Sequence, residues 1–280
     1  MSIESRMPRA EYDQIQAISI TRLKELRRSP QHYRYALAHP KTSDAMTLGI
    51  ATHVAVLEPE RFQHDFCIWE RVTDAGKQAP RSGQHWDAFS AANPGRTVLT
   101  RAEGALAMAI ATAVRSNPIA LRYLETGDPE VSLDWTAADR PAKGRVDWLT
   151  TIDGTPTVVG LKTARDCRHF AFGAQSAKLG YHLQWGYYHD GYRALTGHEP
   201  RMVEIVVESA APHAVAVYSI PSDIIDQGRE EYERLLALLA ECEATDTWPG
   251  PVPTEEPLTL PSWAYPALDD DISELGLETP

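Results

Sequence analysis

The stretch KGRVDWLTTIDGTPTVVGLKTA, residues 143–164, decides the fold class of this chain. It holds two runs rich in β-branched and apolar residues, GRVDWLTTI (144–152) and PTVVGLKT (156–163), and the pair Asp153-Gly154 separates them. Two such runs joined by an Asp-Gly turn are typical of a β-hairpin. We therefore expect an antiparallel hairpin within a larger sheet.

More strand and helix patterns extend from this hairpin in both directions. EVSLDWTA (130–137) adds a strand before it and completes a three-stranded meander, while RMVEIVVES (201–209) and HAVAVYSI (213–220) add two strands after it. Apolar residues recur at helical spacing in 43–57 and in 175–195, so each stretch predicts a helix. This order predicts an α+β fold in which helices flank a central mixed sheet, with an N-terminal helical elaboration.

The composition is that of an ordinary globular protein, with 43% hydrophobic and 24% charged residues in a chain of 280. It excludes a collagen-like chain, a wholly disordered chain and a disulfide scaffold. The net charge is −12, but ten of the 39 acidic residues follow Arg234, after which there is no Lys or Arg. The first 234 residues are close to neutral, so a local basic groove could still bind DNA. We expect a flexible N-terminus (1–17), one domain (18–246) and an acidic, proline-rich tail (247–280).

Missing patterns exclude several other kinds of site. The three cysteines, Cys67, Cys167 and Cys242, form no C-x-x-C pair, which argues against an iron–sulfur cluster and a zinc motif. There is no P-loop, no G-x-G-x-x-G after a strand and no G-x-S-x-G, so we expect neither an ATP-driven motor nor a nicotinamide site. No apolar run approaches the roughly 18 residues of a membrane span, and the N-terminus has no apolar signal core. We therefore expect a cytoplasmic protein without a membrane partner.

An acid and a lysine of the predicted hairpin suggest chemistry. Asp147 lies in its first strand and Lys162 near the end of its second, so pairing could bring the two residues side by side. A carboxylate can hold Mg²⁺ beside a phosphate, and a lysine can neutralise the charge that develops there. On these two residues alone, an ordinary cross-strand ion pair at the surface is the favoured explanation.

Further motifs give this pair a context. SITRLKELRRSPQHYRYAL, TLGIATHVAVLEPERF, KGRVDWL, VVGLKTA and QWGYY follow one another in the order of the RecE/exonuclease VIII branch of the PD-(D/E)xK nucleases, in the RecB-like superfamily. Residues 18–220 resemble that branch, which implies a restriction-endonuclease-like core. The resemblance implies that His53 is the active-site histidine, Asp147 the first metal carboxylate and Lys162 the catalytic lysine. Gln184 and Tyr188 match a Q-x-x-x-Y motif that holds the lysine and a phosphate, although both also fit ordinary helix packing.

The resemblance also implies an activity. It indicates a Mg²⁺-dependent exodeoxyribonuclease, with Mn²⁺ able to substitute, that acts on double-stranded DNA ends in recombination of the phage or prophage type. The partners would be a single-strand annealing protein and further copies of the chain in a ring. The backbone carbonyl of Leu161 and the carboxylate of Glu130 are expected as further metal ligands.

One position departs from the family pattern. The second metal carboxylate should lie two residues before the lysine, where this chain has Gly160. A lost carboxylate weakens the binding of a divalent ion, because hard cations need anionic oxygens. The alternatives are an impaired enzyme, a non-catalytic pseudonuclease that binds DNA or protein, and an acid supplied from another position. Spacing does not choose among the candidates for such an acid, which are Glu130, Asp153, Asp166 and Glu204.

Overall fold

The structure is a computed structural model that describes residues 1–39 and 44–261. The strands are β1 (Ser2–Glu4), β2 (Ile18–Ser19), β3 (Phe66–Trp69), β4 (Thr97–Thr100), β5 (Asp128–Ala137), β6 (Arg140–Ile152), β7 (Thr155–Ala164), β8 (Arg201–Glu208) and β9 (Val215–Ser219). The helices are α1 (Arg9–Gln14), α2 (Ile20–Leu23), α3 (Pro30–Ala38), α4 (Asp44–Leu57), α5 (Pro59–Asp65), α6 (Gln84–Ala92), α7 (Arg101–Ser116), α8 (Pro118–Leu124), α9 (His169–Leu179), α10 (Tyr181–Thr196) and α11 (Ser222–Thr245).

The predicted central mixed sheet is confirmed. Its strand order is β1-β5-β6-β7-β8-β9, with the short β2 pairing β6 in parallel. The meander β5-β6-β7 is antiparallel, β8 joins β7 in parallel, and β9 closes the edge antiparallel to β8. Both hairpin turns have two central residues with positive φ, Ala138-Asp139 and Asp153-Gly154. Such turns match the right-handed twist of the strands and set their register.

Helices cover both faces of the sheet. On one face α10 and α11 bury an aromatic and aliphatic core that includes Leu183 and Tyr187, packed with Val158 of β7. On the other face α4 and α7 pack against β6, β7 and β8, with Ile110 and Ile205 among the buried residues. A fully buried Leu or Ile contributes about 1.5–3 kcal/mol. The two cores hold β7 and β8 from both sides, which fixes the central strands that carry the site.

The predicted helix at 175–195 is in fact two helices. Gly180 ends α9 in the left-handed conformation, with φ 65°, and the chain then begins α10. A Cβ at this position would lie 2.7 Å from the guanidinium of Arg27, so both the conformation and the space favour glycine. The helical periodicity alone did not reveal this break, because apolar spacing continues across it.

The two ends of the chain are more involved in the fold than the sequence suggested. Residues 1–17 were expected to be flexible, but β1 pairs with β5 and the side chains of Met7 and Tyr12 are buried. At the other end, the Gln31 amide donates to the Pro249 carbonyl, which ties the start of the tail to α3. Residues 250–261 form neither helix nor strand, and the remainder of the predicted tail lies outside the described residues.

Within the described ranges, no single helix has the length and apolar character needed to cross a membrane. Helices α7 and α8 have them only when taken together, and the pair is bent by 92°.

Candidate active site

The candidate site lies where β6 and β7 stop pairing. The ladder between them ends at Trp148 and Val159, so it does not join the next residues, Asp147 and Gly160. The Asp147 carboxylate instead accepts a hydrogen bond from the Leu161 amide, with 2.8 Å between N and Oδ2. A side chain thus takes the place of a backbone acceptor, and this fixes the carboxylate at the point where the strands separate.

Three potential metal ligands meet at this point. His53 of α4, Glu130 of β5 and Asp147 of β6 each offer one ligand atom, and these atoms all lie within 4.8 Å of one another. His53 Nδ1 is 3.7 Å from Asp147 Oδ1. The structure therefore brings together the histidine and the first carboxylate expected from the motifs, and adds the expected auxiliary acid Glu130.

The local backbone explains how Glu130 reaches the site. Its ladder neighbours Pro129 and Val131 pair with Trp148 and Val146, so Glu130 is level with Asp147 across the two strands. Glu130 has a positive φ of 51°, which is rare for a non-glycine residue and marks a local distortion of the strand. Strained backbone of this kind tends to occur at functional sites.

Arg145 is a residue that the sequence reasoning missed. Its Nε is 2.9 Å from Glu130 Oε2, and its Nη2 donates to the Met7 carbonyl. The guanidinium also lies over the ring of Tyr12, 5.5 Å from the centroid. Arg145 therefore links the N-terminal segment to Glu130. Its position two residues before Asp147 was the only available signal.

Lys162 lies between two carboxylates. Its Nζ is 3.5 Å from Asp147 Oδ2, 3.5 Å from Glu204 Oε1 and 3.3 Å from the Leu161 carbonyl oxygen. Its side chain is only 14% exposed. Asp147 and Lys162 are thus adjacent as the hairpin predicted, but their pair is buried among further charged groups and is not a surface ion pair.

The charges at the site depend on one another. Burial lowers the pKa of Lys162, but Glu204 and Asp147 raise it by more, so the amine stays protonated. Burial raises the pKa of Asp147, whereas Lys162 and His53 lower it below the ordinary value. Burial also lowers the pKa of His53, which favours the neutral imidazole that binds metals.

Glu130 differs from Asp147 in its protonation. Burial, and then the negative charge of Asp147, raise its pKa to about 7. Two neighbouring carboxylates that share a buried site repel each other when both are ionised. A cation between them would remove that repulsion, which is the behaviour expected of a pair of metal ligands.

Glu204 occupies the space next to Gly160. The two residues are direct partners in the parallel ladder of β7 and β8. A Cβ at position 160 would lie 2.3 Å from Glu204 Oε1, closer than side-chain carbons come to an oxygen. The Trp185 indole donates a hydrogen bond to Glu204 Oε2. A carboxylate from the adjacent strand thus lies beside the position where the motif expects one.

Gln184 and Tyr188 complete the surroundings of the lysine. Both line a cavity of about 10 Å³, which also touches Asp147, Lys162 and Glu204. This volume is enough for about one water molecule. Burial, and then Asp147, raise the pKa of Tyr188 to about 12, so the phenol keeps its proton. The structure therefore brings the two residues of the Q-x-x-x-Y motif to the back of the site.

The remaining candidates for a migrated acid lie elsewhere. Asp153 lies in the β6–β7 turn, is 76% exposed and pairs with Arg122. Asp166 follows β7 and pairs with Arg168 at the surface. Neither contacts a residue of the candidate site in the described contacts. Among the candidates that the sequence left open, Glu130 and Glu204 are the two at the site.

The donor set fits a divalent ion. It offers one imidazole nitrogen and two carboxylates, with the Leu161 carbonyl next to the lysine. Carboxylate and carbonyl oxygens suit Mg²⁺ and Mn²⁺, and an imidazole is acceptable to Mn²⁺. The mutual repulsion of Glu130 and Asp147 gives a physical reason for a cation at this position.

A mixed sheet whose central hairpin presents an aspartate and a lysine, with a histidine from a flanking helix, defines a PD-(D/E)xK, restriction-endonuclease-like core. The model of the family described as "PDDEXK-like domain of unknown function (DUF3799)" matches residues 19–255. The chain belongs to this family. The comparison with curated proteins found no match.

A solved structure shares this fold. The chain is similar to a protein from Eubacterium rectale named "putative exonuclease", with a TM-score of 0.60 and 13% identity over 87% of this chain and 89% of that chain. A protein named SSO0001 aligns with 14% identity over 79% of this chain and 77% of that chain, but its TM-score is 0.32. At 13% identity the first similarity shows the fold alone.

Proposed function

We propose that this protein is a metal-dependent exodeoxyribonuclease that hydrolyses phosphodiester bonds from the ends of double-stranded DNA. The observation that carries the proposal is the convergence of His53, Glu130 and Asp147, whose ligand atoms lie within 4.8 Å of one another beside Lys162. Membership in a PDDEXK-like family supports the reaction class. The name of the Eubacterium rectale protein supports action on chain ends, and the motif resemblance supports DNA as the substrate.

Three side chains of this chain would hold the metal. Asp147 and Glu130 would supply anionic oxygens and His53 a neutral nitrogen, with the Leu161 carbonyl as a further oxygen. We propose Mg²⁺ as the ion, with Mn²⁺ as a substitute. When bound, the ion would supply Lewis-acid polarisation of a phosphate oxygen and make a nucleophile available at neutral pH.

Lys162 would act on the phosphate directly. Its ammonium is held by Asp147, Glu204 and the Leu161 carbonyl before any substrate binds. A charge fixed in this way needs no reorganisation when negative charge develops on the phosphate, and such preorganised groups stabilise transition states effectively. Gln184 and Tyr188 lie behind the lysine and would limit its movement.

The wider biological role is proposed from the resemblance. In the RecE/exonuclease VIII branch, duplex digestion prepares a 3′ single strand for an annealing partner, in recombination of the phage or prophage type. We propose the same place for this chain, in the cytoplasm, with a ring-shaped homo-oligomer around DNA. Gel filtration with light scattering would measure the oligomeric state, and a monomer at assay concentrations would exclude the ring.

The direct test is digestion of end-labelled linear duplex DNA with Mg²⁺ or Mn²⁺, beside a covalently closed circle of the same sequence. We expect loss of label from the linear DNA only, no reaction in EDTA, and no reaction with Lys162→Ala. Digestion of the closed circle would show an endonuclease. Digestion of linear DNA that persists in Lys162→Ala would show that the described site does not perform it.

Gly160 favours one alternative function, that of a non-catalytic binding protein. Because the family carboxylate is missing at this position, the chain could bind DNA or protein without cleaving it. Such a pseudonuclease would bind duplex DNA with an affinity that falls steeply with salt, while no metal produces cleavage. Cleavage by the wild-type protein that depends on Lys162 excludes this alternative.

A further inference from the structure

We propose that Glu204 occupies, from the neighbouring strand, the space of the carboxylate missing at Gly160, and that it positions Lys162 without binding the metal. This inference rests on the proposed nuclease function. It concerns a residue on β8, outside the D/E-x-K strand in which the motif places its second acid.

The first argument is space. Gly160 and Glu204 are partners in the ladder, and a Cβ at position 160 would lie 2.3, 2.7 and 2.8 Å from Oε1, Oε2 and Cδ of Glu204. These three atoms are the whole carboxylate group. A side chain at position 160 and the present position of Glu204 therefore exclude each other. The glycine and the glutamate form one structural unit, in which the acid comes from β8.

The second argument is burial. Glu204 is 1% exposed, and the residues that share its face of β8, Met202 and Val206, are buried apolar residues. A buried carboxylate is costly unless charged or polar partners compensate it. The described partners are the Trp185 indole at Oε2 and the Lys162 ammonium at Oε1. A residue that served only packing would not need this charge.

The third argument concerns what Glu204 reaches. In the part of the chain that the structure describes, the cluster of mutually close ligand atoms consists of His53, Glu130 and Asp147 and does not include Glu204. Lys162 Nζ is 3.5 Å from both Asp147 and Glu204, so the lysine is the partner that Glu204 shares with the metal ligand. Trp185 holds the other oxygen of Glu204. Glu204 thus acts on the lysine.

The consequence is that two carboxylates hold Lys162. Asp147 and the Leu161 carbonyl already contact the ammonium, and Glu204 adds a second charged contact that restricts the position of the ammonium further. Misplacing a catalytic group by about 1 Å can lower a rate on the order of 100-fold. We therefore expect the loss of Glu204 to affect turnover while metal binding is retained.

The first test compares Glu204→Gln with the wild-type protein. We expect kcat on linear duplex to fall about 100-fold, while the affinity for Mn²⁺, measured by calorimetry, changes by less than about threefold. Glu208→Gln is the matched control, since Glu208 lies on the same strand and accepts from the Cys167 amide, away from the lysine. It should keep the wild-type kcat. An unchanged kcat in Glu204→Gln, or a drop of tenfold or more in its Mn²⁺ affinity, would overturn the proposal.

The second test moves the acid back to the D/E-x-K strand. The double variant Gly160→Asp/Glu204→Ala removes the steric conflict and supplies a carboxylate beside Lys162 from β7. We expect its kcat to exceed that of Glu204→Ala by at least about tenfold. Because the motif places a metal ligand at position 160, the Mn²⁺ affinity of the double variant is measured as well, and positioning of Lys162 predicts an affinity within about threefold of that of Glu204→Ala. A kcat equal to that of Glu204→Ala, or a rescue accompanied by a rise of about tenfold or more in Mn²⁺ affinity, would contradict the proposal.

A third test does not depend on activity. The unfolding equilibrium is measured in urea for the wild type, Lys162→Met, Glu204→Gln and the double variant. The ion pair predicts that the two single effects are coupled by at least about fivefold in the unfolding constant. Absence of coupling would refute the contact itself. If coupling is present but the wild type cleaves no DNA with Mg²⁺ or Mn²⁺, the nuclease function fails while the contact stands.

Discussion

Restoring the family motif by Gly160→Asp should damage this protein. The new Cβ would lie 2.3 Å from Glu204 Oε1, so the buried glutamate or its strand must shift by about 1 Å to reach normal contact. Overpacking of this kind costs about 1–3 kcal/mol. The new carboxylate also adds like charge between Asp147 and Glu204, which disfavours ionisation of all three. Together we expect about 3 kcal/mol of destabilisation.

Urea unfolding followed by circular dichroism would measure this change. The midpoint should fall at an unchanged slope, and the melting temperature should fall by about 6–12 °C, since 1 kcal/mol shifts a chain of this size by about 2–4 °C. Gly173→Ala is the control, because a Cβ at Gly173 on α9 meets nothing within 4 Å. Replacing a helical glycine there should be neutral or stabilising by up to about 1 kcal/mol. A Gly160→Asp variant as stable as the wild type and more active would refute the reasoning.

Three further predictions follow from the site and its surroundings. Asp147→Asn should keep the fold, measured by circular dichroism, since its amide oxygen can still accept a hydrogen bond from the Leu161 amide. It should lower the Mn²⁺ affinity at least about tenfold, measured by calorimetry, and an affinity equal to that of the wild type would show that Asp147 is not a metal ligand. Trp185→Phe should destabilise by about 1–3 kcal/mol in urea, because it leaves Glu204 Oε2 without its indole donor, and an unchanged midpoint would contradict the hydrogen bond. Burial raises the pKa of Asp190, but hydrogen bonds from His189, Arg229 and Tyr232 bring it well below the ordinary value. The contribution of Asp190 to the free energy of unfolding is therefore present above about pH 4 and is lost as the pH falls further. Asp190→Asn should lower the free energy of unfolding by about 3 kcal/mol at pH 7 and by progressively less below about pH 4. A cost independent of pH would exclude this linkage.

The local parts of the fold could be predicted from the sequence. The Asp153-Gly154 turn needs two residues with positive φ, and the β-branched runs on either side determine the strands. The hairpin brings Asp147 and Lys162 to the same end of β6 and β7, although the ladder stops before Asp147 and the contact between the two side chains is made beyond it. His53, Gln184 and Tyr188 followed only from the resemblance, since no local rule brings a helix to a strand.

The contacts that sequence reasoning missed depend on pairing between distant segments. The position of Glu204 beside Gly160 follows from the parallel ladder of β7 and β8, two strands that α9 and α10 separate in the chain. Spacing therefore could not choose Glu204 from the candidate acids. In the same way, β1 is too short to show a strand pattern, and its pairing with β5 follows from the edge that the meander leaves open.

The most direct test of the central claim is a crystal structure of the protein with Mn²⁺, analysed by anomalous scattering. We predict one strong anomalous peak in coordination contact with His53, Glu130 and Asp147, with Lys162 still between Asp147 and Glu204. No peak at these three residues at saturating Mn²⁺, or a peak whose ligands lie elsewhere in the molecule, would contradict the account.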